Sequence, residues 1–301
     1  MNRLIIKPVG ETGFIRISFE ADGVGGVAFT RSHFRELRSL LEKLYKSKDC
    51  QGILISVGNE HRDSTGYPVE ELLDMDQVEV RRFCFEAQDT LKLLMSLEIP
   101  TFCLMTGSID GPALELALAC DRRIMSLSEG SRIHFPELSL GLIPPFGGAF
   151  SLIKRLDLPR VLELIETCGS LSATQALELD LVDHLGRADV LEPAAVLISR
   201  QDEHMMKQTE GNGTESLLSL LARIWSENRV RKLLQIFMAS RRARKSLKPG
   251  VLEAYLGFLN MVREGLSSGL EEGLMVAARN FTELLSSQPN RNLLSLYSRT
   301  R

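Results

Sequence analysis

Two glutamates stand in surroundings that would alter their acid–base chemistry. The first, Glu115, is the only charged residue between Gly111 and Cys120, a stretch that opens a predicted helix. A helix that is apolar on every side is buried. A carboxylate there loses hydration, so its pKa rises toward the range useful for proton transfer. The alternative is that Glu115 only complements the dipole of the first helical turn.

The second carboxylate, Glu137, lies in a loop from His134 to Gly148 whose prolines and glycines impose an irregular backbone path. Most glutamates in such loops are simply solvated. However, apolar neighbours at Phe135, Pro136 and Leu138 suit the wall of a pocket. The loop therefore predicts either a solvated surface residue or a second group for proton transfer.

Other kinds of chemistry find little support in the sequence. The five histidines show no metal-ligand spacing, so we predict no metal site. The five cysteines are scattered without a C-x-x-C pair, which argues against zinc and against a disulfide framework, and indicates a reducing, cytoplasmic location. We expect neither a secretory signal nor a membrane span, because no run of about 18 uncharged apolar residues occurs.

The composition is that of an ordinary folded protein. The chain has 301 residues, 44% of them hydrophobic and 25% charged, and a net charge of −3. No overall positive field would attract nucleic acid. Between Arg229 and Lys248 there are eight basic residues and no acidic one. Such a run is typical of a solvated helix face, and the alternatives are binding of the phosphates of a ligand or of an acidic partner.

The elements that would position these residues alternate between strands and helices over the first two thirds of the chain. We predict a hairpin from Gly13–Phe19 and Gly26–Phe29, followed by a helix over Thr30–Leu44. A buried strand over Gln51–Val57, a polar loop through Pro68, a helix over Asp76–Leu97 and a strand over Thr101–Met105 come next. This order predicts an α/β domain with its site in the loops beyond the strand ends.

The last third of the chain is predicted to be helical only. A polar, glycine-containing stretch at 205–216 is our predicted linker between a core at 1–204 and a helical region at 217–301. Breaks at Lys248–Gly250 and Gln288–Asn290 divide the helical region into three blocks. Broad apolar faces in these blocks must cover something; they carry Leu252, Leu256, Leu259, Leu266 and Leu270.

Three segments, in their order and spacing, resemble the enoyl-CoA hydratase/isomerase (crotonase) superfamily. They are Met105–Asp121, Phe135–Pro144 with the following Gly147-Gly148, and Leu171–Asp183. In the tail, Lys248-Pro249, Gly265–Leu274, Ala278–Leu284 and Asn292–Tyr297 are similar to the segment that joins hydratase to dehydrogenase in multifunctional α-subunits of fatty-acid oxidation complexes. The resemblance implies a crotonase-like spiral of ββα units with a C-terminal helical extension folded back on it.

The resemblance also implies a reaction. Glu115 and Glu137 would flank the double bond of a trans-2-enoyl-CoA and share one water, which favours hydration over isomerisation because isomerases of this superfamily typically need one carboxylate. Coenzyme A would be part of the substrate, with no permanently bound cofactor. The implied partners are an acyl-CoA and either a second copy of the chain or a β-oxidation subunit. The implied substrate-binding positions are Thr65, Gly66, Gly111, Pro136, Pro145 and Phe146.

The sequence departs from the family at the oxyanion hole. One backbone donor of the family falls on Tyr67, while the other falls on Pro112, which has no N–H. The neighbouring N–H groups of Gly111 and Ala113 are candidates to replace it. Loss of one such donor costs about 10²- to 10³-fold in rate at other acyl-transfer sites. A catalytically impaired domain that binds acyl-CoA or assembles with a partner is therefore the alternative to a hydratase.

Overall fold

The computed structural model describes residues 4–19, 27–46, 49–58, 66–208 and 229–300. Nine strands occur in this part of the chain: β1 (Leu4–Pro8), β2 (Phe14–Phe19), β3 (Gly52–Gly58), β4 (Thr101–Thr106), β5 (Ser108–Ile109), β6 (Arg122–Ser126), β7 (Arg132–His134), β8 (Ser170–Ser172) and β9 (His184–Gly186). They form a six-stranded sheet in the order β1-β2-β3-β4-β6-β9 and a three-stranded sheet in the order β5-β7-β8.

Twelve α-helices are described: α1 (Arg31–Lys46), α2 (Val69–Asp74), α3 (Gln77–Met95), α4 (Gly111–Ala119), α5 (Gly148–Arg155), α6 (Leu158–Glu166), α7 (Ala173–Glu178), α8 (Leu191–Gln208), α9 (Arg229–Ser246), α10 (Pro249–Ser268), α11 (Leu270–Ser286) and α12 (Gln288–Thr300). Two short 3₁₀ helices, Glu137–Leu140 and Ala188–Val190, lie between them. The fold is a mixed α/β arrangement with a C-terminal helical extension, as predicted.

The large sheet is parallel except at one edge. From β2 to β9 every neighbouring pair is parallel, so the intervening helices act as crossovers. Strands β3 and β4 are buried along almost their whole length, in keeping with a sheet covered on both faces. The chain therefore leaves β3 and β4 at the same end of the sheet and approaches α4 from there.

The predicted hairpin of Gly13–Phe19 with Gly26–Phe29 is wrong. Strand β2 pairs antiparallel with β1 instead, and Ala28 makes only an isolated bridge to Gly66. Strand β1 is a largely exposed edge strand, with Ile5 and Ile6 facing solvent, so its sequence shows no alternation of buried and exposed residues. The short helix α2, which directly follows the predicted polar loop, was also not anticipated.

The helical tail folds back onto the α/β part and shares its hydrophobic core. Tyr255, Phe258 and Phe281 of the tail are fully buried in the same cluster as Phe34 and Phe83 of the α/β part. The tail has four described helices and not the three predicted blocks, because Gly269, at φ +100°, separates α10 from α11. Helix α8 continues through Gln208, and most of the predicted linker lies outside the described residues.

Two buried side chains connect the tail to the loop that follows Glu137. The Gln88 amide on α3 donates to the carbonyls of Pro145 and Leu274, at 2.8 and 2.9 Å. The Asn290 amide on α12 donates to the carbonyls of Gly141 and Leu284, also at 2.8 and 2.9 Å. Both ends of the loop are therefore held by hydrogen bonds that also reach the tail.

We expect Asn290→Ala to lower the free energy of unfolding by about 1–3 kcal/mol, because the buried Gly141 carbonyl loses its side-chain donor and the Leu284 carbonyl keeps the Ser287 N–H but loses the amide. Urea unfolding followed by circular dichroism measures the change. The matched control is Asn292→Ala, since Asn292 lies on the same helix but is exposed. Equal stability of the wild-type chain and the Asn290 variant would contradict a stabilising role for this side chain.

Candidate active site

Helix α4 delivers Glu115 into the core. All nine residues of α4 are buried, and Glu115 is 3% exposed, which confirms that a helix apolar on every side is buried here. Its Oε2 accepts hydrogen bonds from the backbone N–H of Phe146, at 2.9 Å, and of Gly148, at 2.7 Å. Within the described part of the chain, Oε1 has no hydrogen-bond partner.

The close approach of Glu115 explains the glycine at position 148. A Cβ atom on Gly148 would lie 2.6 Å from the Cγ of Glu115, so a larger residue would displace the carboxylate. Gly147, at φ +113°, allows the turn that presents both N–H groups at the start of α5. The Gly-Gly pair thus has a direct physical role in seating Glu115.

Glu137 begins a short 3₁₀ helix and is also buried, at 4% exposure. Its Oε2 has no hydrogen-bond partner among the described residues. Pro136 precedes it as the N-terminal cap, and Gly141 closes the turn at φ +68°. The prediction of a solvated surface residue is therefore not supported, and both glutamates present one uncommitted oxygen in a buried environment.

Burial changes the acidity of both carboxyls. It raises the pKa of Glu115 to about 8, against the opposing effect of hydrogen bonds from the loop N–H groups. Burial likewise raises the pKa of Glu137 to about 8, and the negative charges of Glu115 and Asp110 contribute further to that increase. The two carboxylates therefore lie within electrostatic range of each other.

The raised pKa values of the two carboxyls predict how stability depends on pH. Both carboxyls are protonated in either state below their ordinary pKa of 4.5. Between that value and about 8, the unfolded chain ionises them while the folded chain keeps them protonated. We therefore expect the free energy of unfolding to fall with rising pH across this window, by about 1.4 kcal/mol per pH unit for each carboxyl.

Urea unfolding of the wild-type chain and of a Glu115→Gln, Glu137→Gln double variant, from about pH 5 to about pH 8, measures this effect. The Gln variant removes both titrations, so its stability should exceed that of the wild-type chain increasingly as pH rises. Parallel pH dependences of the two proteins would contradict the raised pKa values of Glu115 and Glu137.

Tyr67 lies between the two carboxylates and the helical tail. Its ring stacks on Phe281 of α11, with 5.6 Å between centroids, and lies 6.4 Å from the ring of Phe146. Burial raises the pKa of the Tyr67 phenol well above its usual range, and the charges of Glu137 and Glu115 raise it further. The hydroxyl has no hydrogen-bond partner among the described residues.

Pro112 lies at the start of α4, next to the backbone of Gly66. A Cβ atom on Gly66 would lie 3.8 Å from the Pro112 Cδ and 2.7 Å from the Asp110 Oδ1, so this turn runs beside the backbone that leads to Tyr67. The N–H of Ala113 already donates to the Asp110 carbonyl, at 3.1 Å. The N–H of Ala113 is therefore already engaged within the helix start.

A small cavity borders Glu115 among the described residues. A cavity of about 40 Å³ is lined by Glu115, Phe146, Gly148 and Leu274, among others, whereas Glu137 does not line it. Such a cavity holds one or a few waters, and pockets for drug-sized ligands are about 300–1,000 Å³. Phe146 also packs against Phe34 and Phe83, with centroids 5.3 and 5.2 Å apart.

The structure thus brings Gly66, Tyr67, Gly111, Pro112, Glu115, Pro136, Glu137, Pro145 and Phe146 into one region; Thr65 lies outside the described residues. Sequence reasoning assigned no role to Gln88, Asn290 or Asp110. A signal existed for Gln88, a polar residue at the spacing of the buried face of α3. The position of Asp110 before α4 is typical of a helix cap, yet its side chain makes no capping hydrogen bond.

Parallel strands joined by helices, with buried glutamates on α4 and at the start of a 3₁₀ helix, are the arrangement that the resemblance to crotonase-type proteins implies. Residues 26–212 match the family model described as enoyl-CoA hydratase/isomerase. The chain belongs to this family.

Among curated proteins, it is similar to fatty acid oxidation complex α-subunits. Identity is 25% over 269 residues for the Shewanella amazonensis protein and 27% over 266 residues for the Vibrio vulnificus protein. Each alignment covers 88% of this chain, which spans only 36% of the relative's length. These alignments are longer than the predicted core and therefore include part of the helical tail.

Solved structures share the fold. Human mitochondrial delta3-delta2-enoyl-CoA isomerase superposes with a TM-score of 0.68 at 16% identity, covering 99% of this chain and 97% of the isomerase. An enoyl-CoA hydratase from Bacillus anthracis superposes with a TM-score of 0.61 at 22% identity, covering 85% of this chain and 96% of the hydratase. One neighbour is an isomerase and the other a hydratase, so fold similarity does not distinguish the two reactions.

Proposed function

We propose that the chain adds water to trans-2-enoyl-CoA thioesters, with Glu115 and Glu137 as the catalytic pair. The observation that carries this proposal is the pair of buried carboxyls with a pKa of about 8, each with one oxygen that lacks a partner among the described residues. Groups that titrate near the working pH are efficient proton donors and acceptors. Two of them within electrostatic range suit a reaction with two proton transfers.

The proposed reaction adds water across the C2–C3 double bond with one proton transfer at each glutamate. One carboxylate takes a proton from water while the water oxygen forms a bond to C3 and the electron pair of the double bond moves toward the thioester oxygen. The other carboxyl holds the water and delivers a proton to C2, so that H and OH are added overall. The backbone N–H of Tyr67 would bind the thioester oxygen as its negative charge develops.

Hydration is preferred to isomerisation because this chain keeps both carboxyls. Moving a proton between C2 and C4 needs one carboxylate, and a second buried carboxyl without a reaction partner would only cost stability. The remaining proposed substrate positions are Thr65, Gly66, Gly111, Pro136, Pro145 and Phe146. Coenzyme A enters as part of the substrate, and no permanent cofactor is proposed.

A second candidate is a catalytically impaired acyl-CoA-binding or assembly domain. Two observations favour it: the missing N–H at Pro112, and a cavity of only about 40 Å³ beside Glu115. An enoyl group would enter this cavity only after its lining, which includes Phe146 and Leu274, moved. The curated relatives are complex subunits, so a β-oxidation partner subunit is the proposed partner in this case.

The experiment that separates the candidates follows loss of the conjugated-thioester absorbance of crotonyl-CoA and of a longer trans-2-enoyl-CoA. Calorimetric binding of a saturated acyl-CoA is measured in parallel. We expect turnover to the 3-hydroxyacyl product. Binding without turnover would replace the hydratase proposal with the binding domain, and product in which the double bond has moved to C3–C4 would replace it with isomerisation.

A further inference from the structure

Helix α9 carries an exposed apolar face that the hydratase proposal does not use. Val230 is 82% exposed, Leu234 and Phe237 are each 56% exposed, and Met238 is 53% exposed. The opposite face of the same helix is buried through Ile236, Ala239 and Ala243. Large apolar residues grouped on one exposed face mark an interaction surface more often than scattered ones do.

Basic residues continue this face. With 100° between successive residues, Val230, Leu234, Phe237, Met238, Arg241 and Lys245 fall within an arc of about 100° on the helical wheel. Arg231 flanks the arc on one side and Arg244 on the other, and all four of these basic residues are exposed. The Arg241 guanidinium lies over the Phe237 ring, 5.9 Å from its centroid, so charge and apolar surface are adjacent.

The charge of α9 contrasts with that of the whole chain. Helix α9 has seven basic and no acidic residues, whereas the chain has a net charge of −3. Contact of α9 with the α9 of a second copy would bring like charges together, which opposes self-association of that kind. A helix with exposed apolar residues flanked by Lys and Arg is the pattern of a helix that lies in the interface of an anionic bilayer.

We propose that α9 docks the chain onto bilayers that carry anionic phospholipid. Leu234, Phe237 and Met238 insert among the acyl chains, while Arg241 and Lys245 lie at the phosphate groups. Helix α9 lies on the membrane and does not cross it; no helix among the described residues is long and apolar enough to span a bilayer. This docking does not depend on the proposed hydratase activity.

Flotation of the full chain with vesicles tests the proposal. We expect binding to vesicles of phosphatidylcholine with phosphatidylglycerol, weak binding to phosphatidylcholine alone, and loss of binding as salt is raised. Each basic residue near an anionic surface contributes roughly fivefold in affinity, so Arg241→Glu with Lys245→Glu should weaken binding at least 25-fold. Leu234→Gln with Phe237→Gln should weaken it at least tenfold, roughly.

Two matched controls keep the test specific. Lys43→Glu with Lys46→Glu makes the same net-charge change on exposed positions of α1. Val78→Gln with Leu197→Gln removes two exposed apolar side chains from α3 and α8. Both controls should bind like the wild-type chain, and circular dichroism verifies the fold of every variant.

Several results would overturn the proposal. They are no binding to either vesicle, equal binding to neutral vesicles, or equal losses in the controls. A wild-type dimer in gel filtration that the α9 variants dissociate would assign this face to a second copy of the chain. If an α9 variant fails to fold, the lipid and salt dependence of the wild-type chain still decides.

Discussion

Glu115→Gln and Glu137→Gln should each reduce enoyl-CoA hydration by about 10³-fold, the middle of the range for loss of a general acid or base. Glutamine keeps the size of the side chain and can still accept the hydrogen bonds that Glu115 receives from Phe146 and Gly148. It cannot take or deliver the proton. The variants therefore remove the chemistry while leaving the packing of the site in place.

The double variant adds a sharper expectation. Because the two carboxyls share one water in the proposed step, their losses should not add, and the double variant should be about as slow as either single variant. Steady-state hydration of crotonyl-CoA measures all three. Glu71→Gln is the matched control, since Glu71 is a partly buried glutamate on α2 whose pKa is raised by burial. The assignment would be contradicted if Glu71→Gln were slow while the Glu115 and Glu137 variants stayed active.

Pro112→Gly should raise the hydration rate by about 10²- to 10³-fold, the effect attributed to one oxyanion donor. Pro112 is the second residue of α4, and the first N–H groups of a helix have no intrahelical partner. An N–H at position 112 would therefore be free to bind the thioester oxygen, and the positive end of the helix dipole would assist it.

The matched control is Pro159→Gly, because Pro159 is the second residue of α6 and lies at the same kind of helix start. Both substitutions lower stability by about 0.4–1 kcal/mol through the greater freedom of the unfolded chain. Only Pro112→Gly should raise the rate. Unchanged turnover in that variant would mean that the absence of an N–H at position 112 does not limit the reaction.

The helical tail contacts the candidate site through hydrogen bonds and through an aromatic ring. Gln88 and Asn290 hold the loop between Glu137 and Gly148 from both ends, and the tail contributes Phe281 to the aromatic group around Tyr67. The tail therefore stabilises the loop of the candidate site and packs an aromatic ring against Tyr67.

Much of the fold followed from periodicity. Helices α1 and α3 and strands β3 and β4 were predicted within a few residues, because each has a long apolar pattern with clear ends. Strand β1 was missed because an exposed edge strand has no buried face to leave a pattern. The split of the predicted middle block at Gly269 was missed because a single glycine between two helical patterns does not reveal its φ.

The sequence by itself determined which unusual residues the candidate site contains. They are an isolated charge in an apolar helix, a second glutamate in a rigid loop, and a proline without an N–H. Only the tertiary structure decided that Glu115 accepts hydrogen bonds from residues 31 and 33 positions away, and that Glu137 shares its electrostatic environment. It also decided that the ring of Phe281 stacks on the ring of Tyr67. Side-chain type is a local property, whereas burial and proximity depend on how distant segments pack.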